Sequence, residues 1–303
     1  MPRARPSAQT FIVEPNEILE PEVILLENRT FFEIASVGGE PMSVFKWLAK
    51  RRLLKNSVYC MQCGISFGLN AYKNATDAYR WFCKNCKKRQ SVCDGSFFSK
   101  SRLPLRQLLL YIYSWRQNAP QQDIQHETEI HRSATLADWG NFCRDVCKVD
   151  IKGNPQIIGG IKIDRTPIIV EIDKSKFFHL EVPDRTSRTL KGFIIQHILP
   201  GSHIVLDGWV SYAGIENIGE GIYSHEVITH ERHFVDPQNN DIHTQNVENM
   251  WMRLERKIRQ QFGTSETLFE SRLHEFVWRQ RYKNNSKFSA FTYCVNRQYL
   301  REI

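Results

Sequence analysis

The stretch "IIVEIDKSKFFHLEVPDR", residues 168–185, puts an acid, Asp173, at the end of a β-branched apolar run, and "HIVLDGW", residues 203–209, repeats the arrangement with Asp207. A carboxylate at the tip of a buried strand is costly to keep dry, so it marks a turn, a buried ion pair or a metal site. Two such tips in one domain point towards metal. Further strand-like runs, "KFFHLEVP" and "HEVITHERHFV", lie nearby, with helical patterns at 186–197 and after 245, so the region reads as α/β. The Gly/Pro-rich "GNPQIIGG" (153–160) marks where it begins.

A third acid follows. In "NVENMWMRLERKIRQQF" (246–262), Val247, Trp251, Leu254 and Ile258 make one apolar helical stripe, and Glu248 lies off its edge near the helix start. Asp173, Asp207 and Glu248 so disposed can hold two divalent ions about 4 Å apart, which suits phosphodiester chemistry: one ion activates an attacking hydroxyl, the other stabilises the leaving oxygen. Hard carboxylate oxygens suit magnesium. Taken singly, the acids have plainer readings. Asp207 before Gly208 can make a turn, and Glu248 can favour a helix N-terminus.

Upstream the chemistry changes. Cys60-x2-Cys63 and Cys83-x2-Cys86, nineteen residues apart, have the spacing of a four-thiolate zinc ribbon in which each CxxC presents two sulfurs to one tetrahedral ion. Strand-like aromatic residues lie between the pairs in "FGLNAYKNATDAYRWF", and "KNCKKRQSVCDGSFFSKS" adds a basic hairpin with Asp94-Gly95 as its turn. Cys93 is a fifth, unligated thiol; Cys143, Cys147 and Cys294 lack ligand spacing and read as helix or core residues. A basic amphipathic helix, "MSVFKWLAKRRLL" (42–54), leads into the ribbon. After it, "PLRQLLLYIYSWRQN", "APQQDIQHETEI" and "HRSATLADWGNFCRDVCKV" read as three helices, either a helix-turn-helix or a helical spacer.

Charge supports a polyanionic partner. Residues 41–120 hold fifteen Lys/Arg against Asp77 and Asp94 alone, a local +13 that leaves −5 for the rest of a chain whose total is +8. A cationic face on a Cys-rich module is what a phosphate backbone requires, although a lysine-rich solvated surface has the same composition. With no apolar run of about 18 residues and no apolar core in "MPRARPSAQTF", a soluble intracellular protein with no membrane partner is expected.

The series "IIGG…VEID", "VPDR", "ILPGSHIVLDGWVSYAGI", "HFVD", "HTQNVENMWMRLERKIR" and "HEFVWRQRY", in that order along residues 157–282, resembles the Merlin-type transposases and their bacterial insertion-sequence relatives. The resemblance implies an RNase H-like domain with a DDE metal site, preceded by a zinc ribbon and a helix-turn-helix. Asp173, Asp207 and Glu248 then become the catalytic acids, ligating Mg2+ or Mn2+, with His243 and Asn246 shaping the third motif. The implied activity is hydrolysis at a transposon end followed by attack of the freed 3′-hydroxyl on target DNA. Implied partners are the terminal inverted repeats, target DNA and further copies of the chain; the implied location is the nucleus.

The organisation expected is a lead-in (1–41), a basic helix with the zinc ribbon (42–100), a helix-turn-helix region (101–152), the RNase H-like domain (153–285) and a tail (286–303). One feature departs from the family pattern. Between the first acid and "VPDR" the family carries a basic hairpin and a further strand, whereas here Asp173 runs through only "KSK" into "FFHLEVPDR". The first and third strands of such a sheet run parallel and need the second between them. A shortened sheet is therefore expected, and with it an alternative function: a catalytically inactive or host-adopted DNA-binding derivative. A two-metal nuclease without strand transfer is a third reading.

Overall fold

A computed structural model describes residues 9–172, 186–207, 218, 221–228, 245–260 and 266–299; of Asp207, Asn246, Glu248 and Trp251 it describes the backbone alone. The chain forms two compact units, Met1–Val149 together with Arg279–Ile303, and Asp150–Trp278.

Unit 1 starts with the lead-in, where prolines open helical turns. Pro15 heads a 3-10 turn, Pro21 is the first residue of α1 (Pro21–Leu26) and Pro41 the first of α3 (Pro41–Lys50). Proline's fixed φ suits a first turn, where its missing N–H leaves no bond unmade. Between them α2 (Phe31–Val37) is set by a capping box: Glu33 N–H donates to Thr30 Oγ1 at 3.3 Å and Thr30 N–H to Glu33 Oε2 at 2.7 Å.

A three-stranded antiparallel sheet, β1 (Gly68–Ala71), β2 (Tyr79–Phe82) and β3 (Arg89–Ser91), follows in that spatial order. The Asp94-Gly95 turn forms, with Gly95 at φ +74°, but it ends β3 rather than joining two strands. The chain continues in turns that bury Phe97 and Phe98.

Then come α4 (Leu105–Arg116), α5 (Gln121–Thr128) and α6 (Ser133–Gly153). Leu105 and every residue from Leu108 to Trp115 are buried, so α4 is a central core helix.

The unit is completed from far along the sequence. Residues read as a C-terminal tail form α10 (Lys287–Tyr299), which packs on α1 and α4 and buries Phe288, Phe291, Cys294 and Val295. Ser289 Oγ donates to the Glu27 carbonyl at 2.6 Å and Asn296 Nδ2 to the Arg51 carbonyl at 3.1 Å.

Unit 2 is built on parallel pairings. A short pair, β4 (Ile158–Gly159) and β6 (Ile198–Leu199), stands beside a three-stranded sheet in the order β5 (Ile169–Ile172), β7 (His203–Asp207), β8 (Ser224–Ile228). Every neighbouring pair in that sheet is parallel. Ile204, Val205 and Leu206 of the central β7 are all buried, as a strand covered on both faces requires. Helix α7 (Ser187–His197) lays Leu190 and Ile194 on the face made by Val170, Ile172, Ile204 and Leu206. Helix α8 (Gln245–Gln260) packs against β5, and Leu254 joins Leu273 and Phe276 of α9 (Glu266–Arg281) in a second cluster.

The "GG" of the opening motif has a packing cause. Gly159 sits at φ +82°, and a Cβ there would lie 2.1 Å from Ser202 Oγ, which accepts from Gly160 N–H at 2.7 Å.

Candidate functional site

The best-defined site among the described residues is the four-cysteine cluster. Its two knuckles repeat one geometry. Cys60 N–H donates to the Ile65 carbonyl and Cys83 N–H to the Lys88 carbonyl, both at 2.9 Å. The residue after each second cysteine takes a left-handed conformation, Gly64 at φ +71° and Lys87 at φ +56°. This turn aims both sulfurs of a pair inward, and β1–β3 hold the two pairs together through Cys83, directly after β2.

The four Sγ atoms all lie within 4.8 Å of one another, with Cys63 and Cys83 3.6 Å apart. A tetrahedral zinc with Zn–S bonds of about 2.3 Å puts sulfurs about 3.8 Å apart, so donor set and spacing both fit. A hydrogen bond from the Ile65 backbone lowers the Cys63 thiol to about 6, while Cys86, hydrogen-bonded to Cys63 and desolvated, is raised to about 12. Four thiolates this close repel one another, and a bound cation removes that penalty. Cys93 stands outside the cluster, its thiol pushed up to about 12 by burial. Cys143, Cys147 and Cys294 are buried in unit 1.

In unit 2 the backbone places two of the three sequence-predicted acids. Asp207 is the last residue of β7, and Leu206 before it is in register with Ile172, the last residue of β5. The C-terminal ends of two adjacent parallel strands therefore coincide, the position at which open α/β sheets bind ligands. Glu248 is on the first turn of α8, the helix packed on β5. Asp173 follows Ile172 in the chain but lies outside the described residues, as do His243, the "KSK" joint and "FFHLEVP". The side chains of Asp207, Glu248 and Asn246 lie outside them too. Among the described residues, β5 has no antiparallel strand beside it.

Sequence reasoning passed over one arrangement on the three-stranded sheet β1–β3. Arg80 lies over the Tyr72 ring at 4.9 Å from its centroid, and Arg89 lies 5.4 Å from the same centroid and 5.5 Å from that of Phe82. The alternation Arg80-Trp81-Phe82 was the available signal, since it puts Arg80 and Phe82 on one face.

A parallel α/β sheet with acidic positions at a strand end and on a helix packed against it, together with a separate four-thiolate cluster able to hold an ion, is the arrangement these features define. Comparison with known families agrees: residues 151–281 match the ISXO2-like transposase domain, and the resemblance to Merlin-type DDE transposases holds. A curated relative is male abnormal protein mab-31 of Caenorhabditis elegans, 27% identical over 273 residues, which take in 74% of this chain. The chain spans 63% of that relative's length. Those 273 aligned positions exceed 74% of a 303-residue chain, so the relative carries residues in the aligned region that have no counterpart here. No solved structure matches significantly.

Proposed function

We propose that the chain is a DNA transposase of Merlin type: unit 1 binds transposon ends, and unit 2 cleaves and joins DNA through Asp173, Asp207 and Glu248. The observation that carries this reading is the parallel β5–β7 pair, in register to Ile172 and Leu206 with Asp207 next along β7, and the Glu248 helix packed on β5. An RNase H-like sheet so arranged would gather three acids from distant sequence positions.

Magnesium or manganese, when bound, would supply Lewis-acid activation of the attacking oxygen and charge stabilisation at the leaving oxygen. Asp173, Asp207 and Glu248 would hold and space that charge, and unit 1 would hold the DNA in place. Zinc at Cys60, Cys63, Cys83 and Cys86 is structural, since four thiolates leave no open position for a substrate. Assembly of two ends calls for at least two copies of the chain, and such an enzyme works in the nucleus. No helix among the described residues is long and apolar enough to cross a membrane.

The second reading, a DNA-binding derivative without catalysis, is favoured by one observation: only Lys174-Ser175-Lys176 separates Asp173 from "FFHLEVPDR", where the family carries a further strand. The test is magnesium-dependent cleavage and strand transfer on DNA bearing the element's own ends, comparing the chain with Asp207→Ala. Cleavage lost in the variant upholds the enzyme. Binding without cleavage in both assigns the derivative.

A further inference from the structure

Unit 1 offers two surfaces to DNA, and their charges differ. Residues 117–131, containing α5, carry Asp123, Glu127 and Glu129 and no Lys or Arg, and all three acids are exposed. Along α6 from Ser133 to Val149 the fully exposed residues include Asp138 and Asp145 but again no Lys or Arg; Arg144 and Lys148 are half-buried. Arg132, at the joint of the two helices, is exposed, but acids outnumber exposed cations along this side, which as a whole disfavours phosphate.

The ribbon sheet is the reverse. From Ala78 to Cys93 there are five Lys/Arg, Arg80, Lys84, Lys87, Lys88 and Arg89, and no acid. Trp81 is buried on one face, so Arg80 and Phe82 share the other, where the register sets Phe82 against Arg89 and Arg80 against Ser91. The flanking acids are engaged: Asp77 accepts from Leu105 N–H at 2.9 Å and Asp94 from Ser91 N–H at 3.2 Å.

We propose that this outward face of β1–β3, rather than the exposed side of α6, grips the phosphate backbone of duplex DNA, with Arg80 and Arg89 as its principal donors. The proposal rests on the DNA-binding reading above. A guanidinium lying over an aromatic ring is already partly positioned, so less side-chain freedom is lost when a phosphate binds. The stacking also argues for duplex over single strands. Single-stranded DNA is held by bases stacking on bare aromatic faces, and here the guanidinium groups occupy those of Tyr72 and Phe82.

The experiment uses the full zinc-loaded chain and a fluorescent mixed-sequence duplex, with anisotropy titrations across a range of salt. Arg80→Ala/Arg89→Ala is expected to weaken binding roughly tenfold to thirtyfold at about 0.15 M salt and to flatten the log–log salt slope by about two. Arg80→Lys/Arg89→Lys, which keeps charge but loses the planar stack, is expected to fall in between. Arg132→Ala/Ser133→Ala, at the start of α6, is expected to stay within about twofold, having one cation to lose.

Zinc content and circular dichroism verify each variant's fold; should the alanine pair lose zinc, the glutamine pair at the same positions carries the test. An alanine pair that keeps zinc, affinity and slope while the α6 variant loses binding overturns the face assignment and leaves DNA binding standing. Tighter binding of single-stranded DNA or RNA than of duplex overturns the choice of partner. No binding to duplex by the unaltered chain defeats the functional reading itself.

Discussion

Asp77 is asked to do two opposed things. Its carboxylate accepts the first N–H of α4, yet burial, outweighing that bond, raises its pKa above the ordinary 3.8. A raised acid binds its proton more tightly in the folded chain, so the stability it confers is fullest below 3.8 and is lost as pH rises through the folded value. Asp77→Asn keeps the acceptor without the charge and is expected to leave the neutral-pH melting temperature unchanged or raise it. Asp77→Ala removes the acceptor and is expected to cost about 1 kcal/mol in urea denaturation.

Glu27 shows the opposite sign. Burial pushes its carboxyl up, but hydrogen bonds and charge from Arg51 and Arg29 outweigh burial and hold it below the ordinary 4.5. Its contribution is therefore present above pH 4.5 and lost as pH falls through the folded value. Arg51 is buried, binds Glu27 through two hydrogen bonds at 2.8 and 2.7 Å, and stacks on Trp47. Removing its partner strands a buried cation, so Glu27→Ala is expected to cost about 3 kcal/mol in the same denaturation assay. None of this was legible in the sequence: Glu27 and Arg51 are ordinary charged residues until the fold brings them together. The cysteine quartet was legible because its two halves are local and thiol chemistry restricts what that spacing can serve.

At the scale of elements, legibility follows the range of the interaction. The apolar runs at β5 and β7 announce buried strands, and the stripe ending in Leu254 and Ile258 announces the face of α8 that meets Leu273 and Phe276. Both are periodicities within one segment. Prolines such as Pro15 and Pro21 are ambiguous in the sequence, because proline opens a helix as readily as it marks an extended chain. Asp94-Gly95 was a turn with no second strand to join, since hairpin chemistry fixes the bend and leaves the conformation beyond it to tertiary packing.

Helix α10 carried no signal for its partner. Phe291 is fully buried and meets Phe97 and Trp115 edge-on at 5.9 and 5.4 Å. Phe291→Ala is expected to destabilise unit 1 by roughly 3–5 kcal/mol, read as a lowered unfolding midpoint. In unit 2, Gly159→Ala would force a methyl against Ser202 Oγ at a left-handed position, and it is expected to lower the thermal midpoint of that unit without disturbing zinc content.

For the whole molecule, the two units are expected to answer differently to removal of metal. With a chelator such as EDTA the ribbon is expected to open, exposing residues 58–92 to limited proteolysis, while unit 2 keeps its resistance because its core is made of apolar side chains and contains no thiolate cluster among the described residues. Equal loss of resistance in both units would show that zinc holds more than the ribbon.

The discontinuity of unit 1 governs the order of events on the ribosome. Glu27 and Ser289 touch across 262 residues, so the nascent chain cannot finish its first unit until nearly everything after it has been made. Unit 2 is continuous in sequence and needs no such wait. Nascent chains usually fold from the N-terminus onward. Here the first-made unit matures last: the nascent chain holds a completed unit 2 before unit 1, with its four-cysteine cluster, can close around α10.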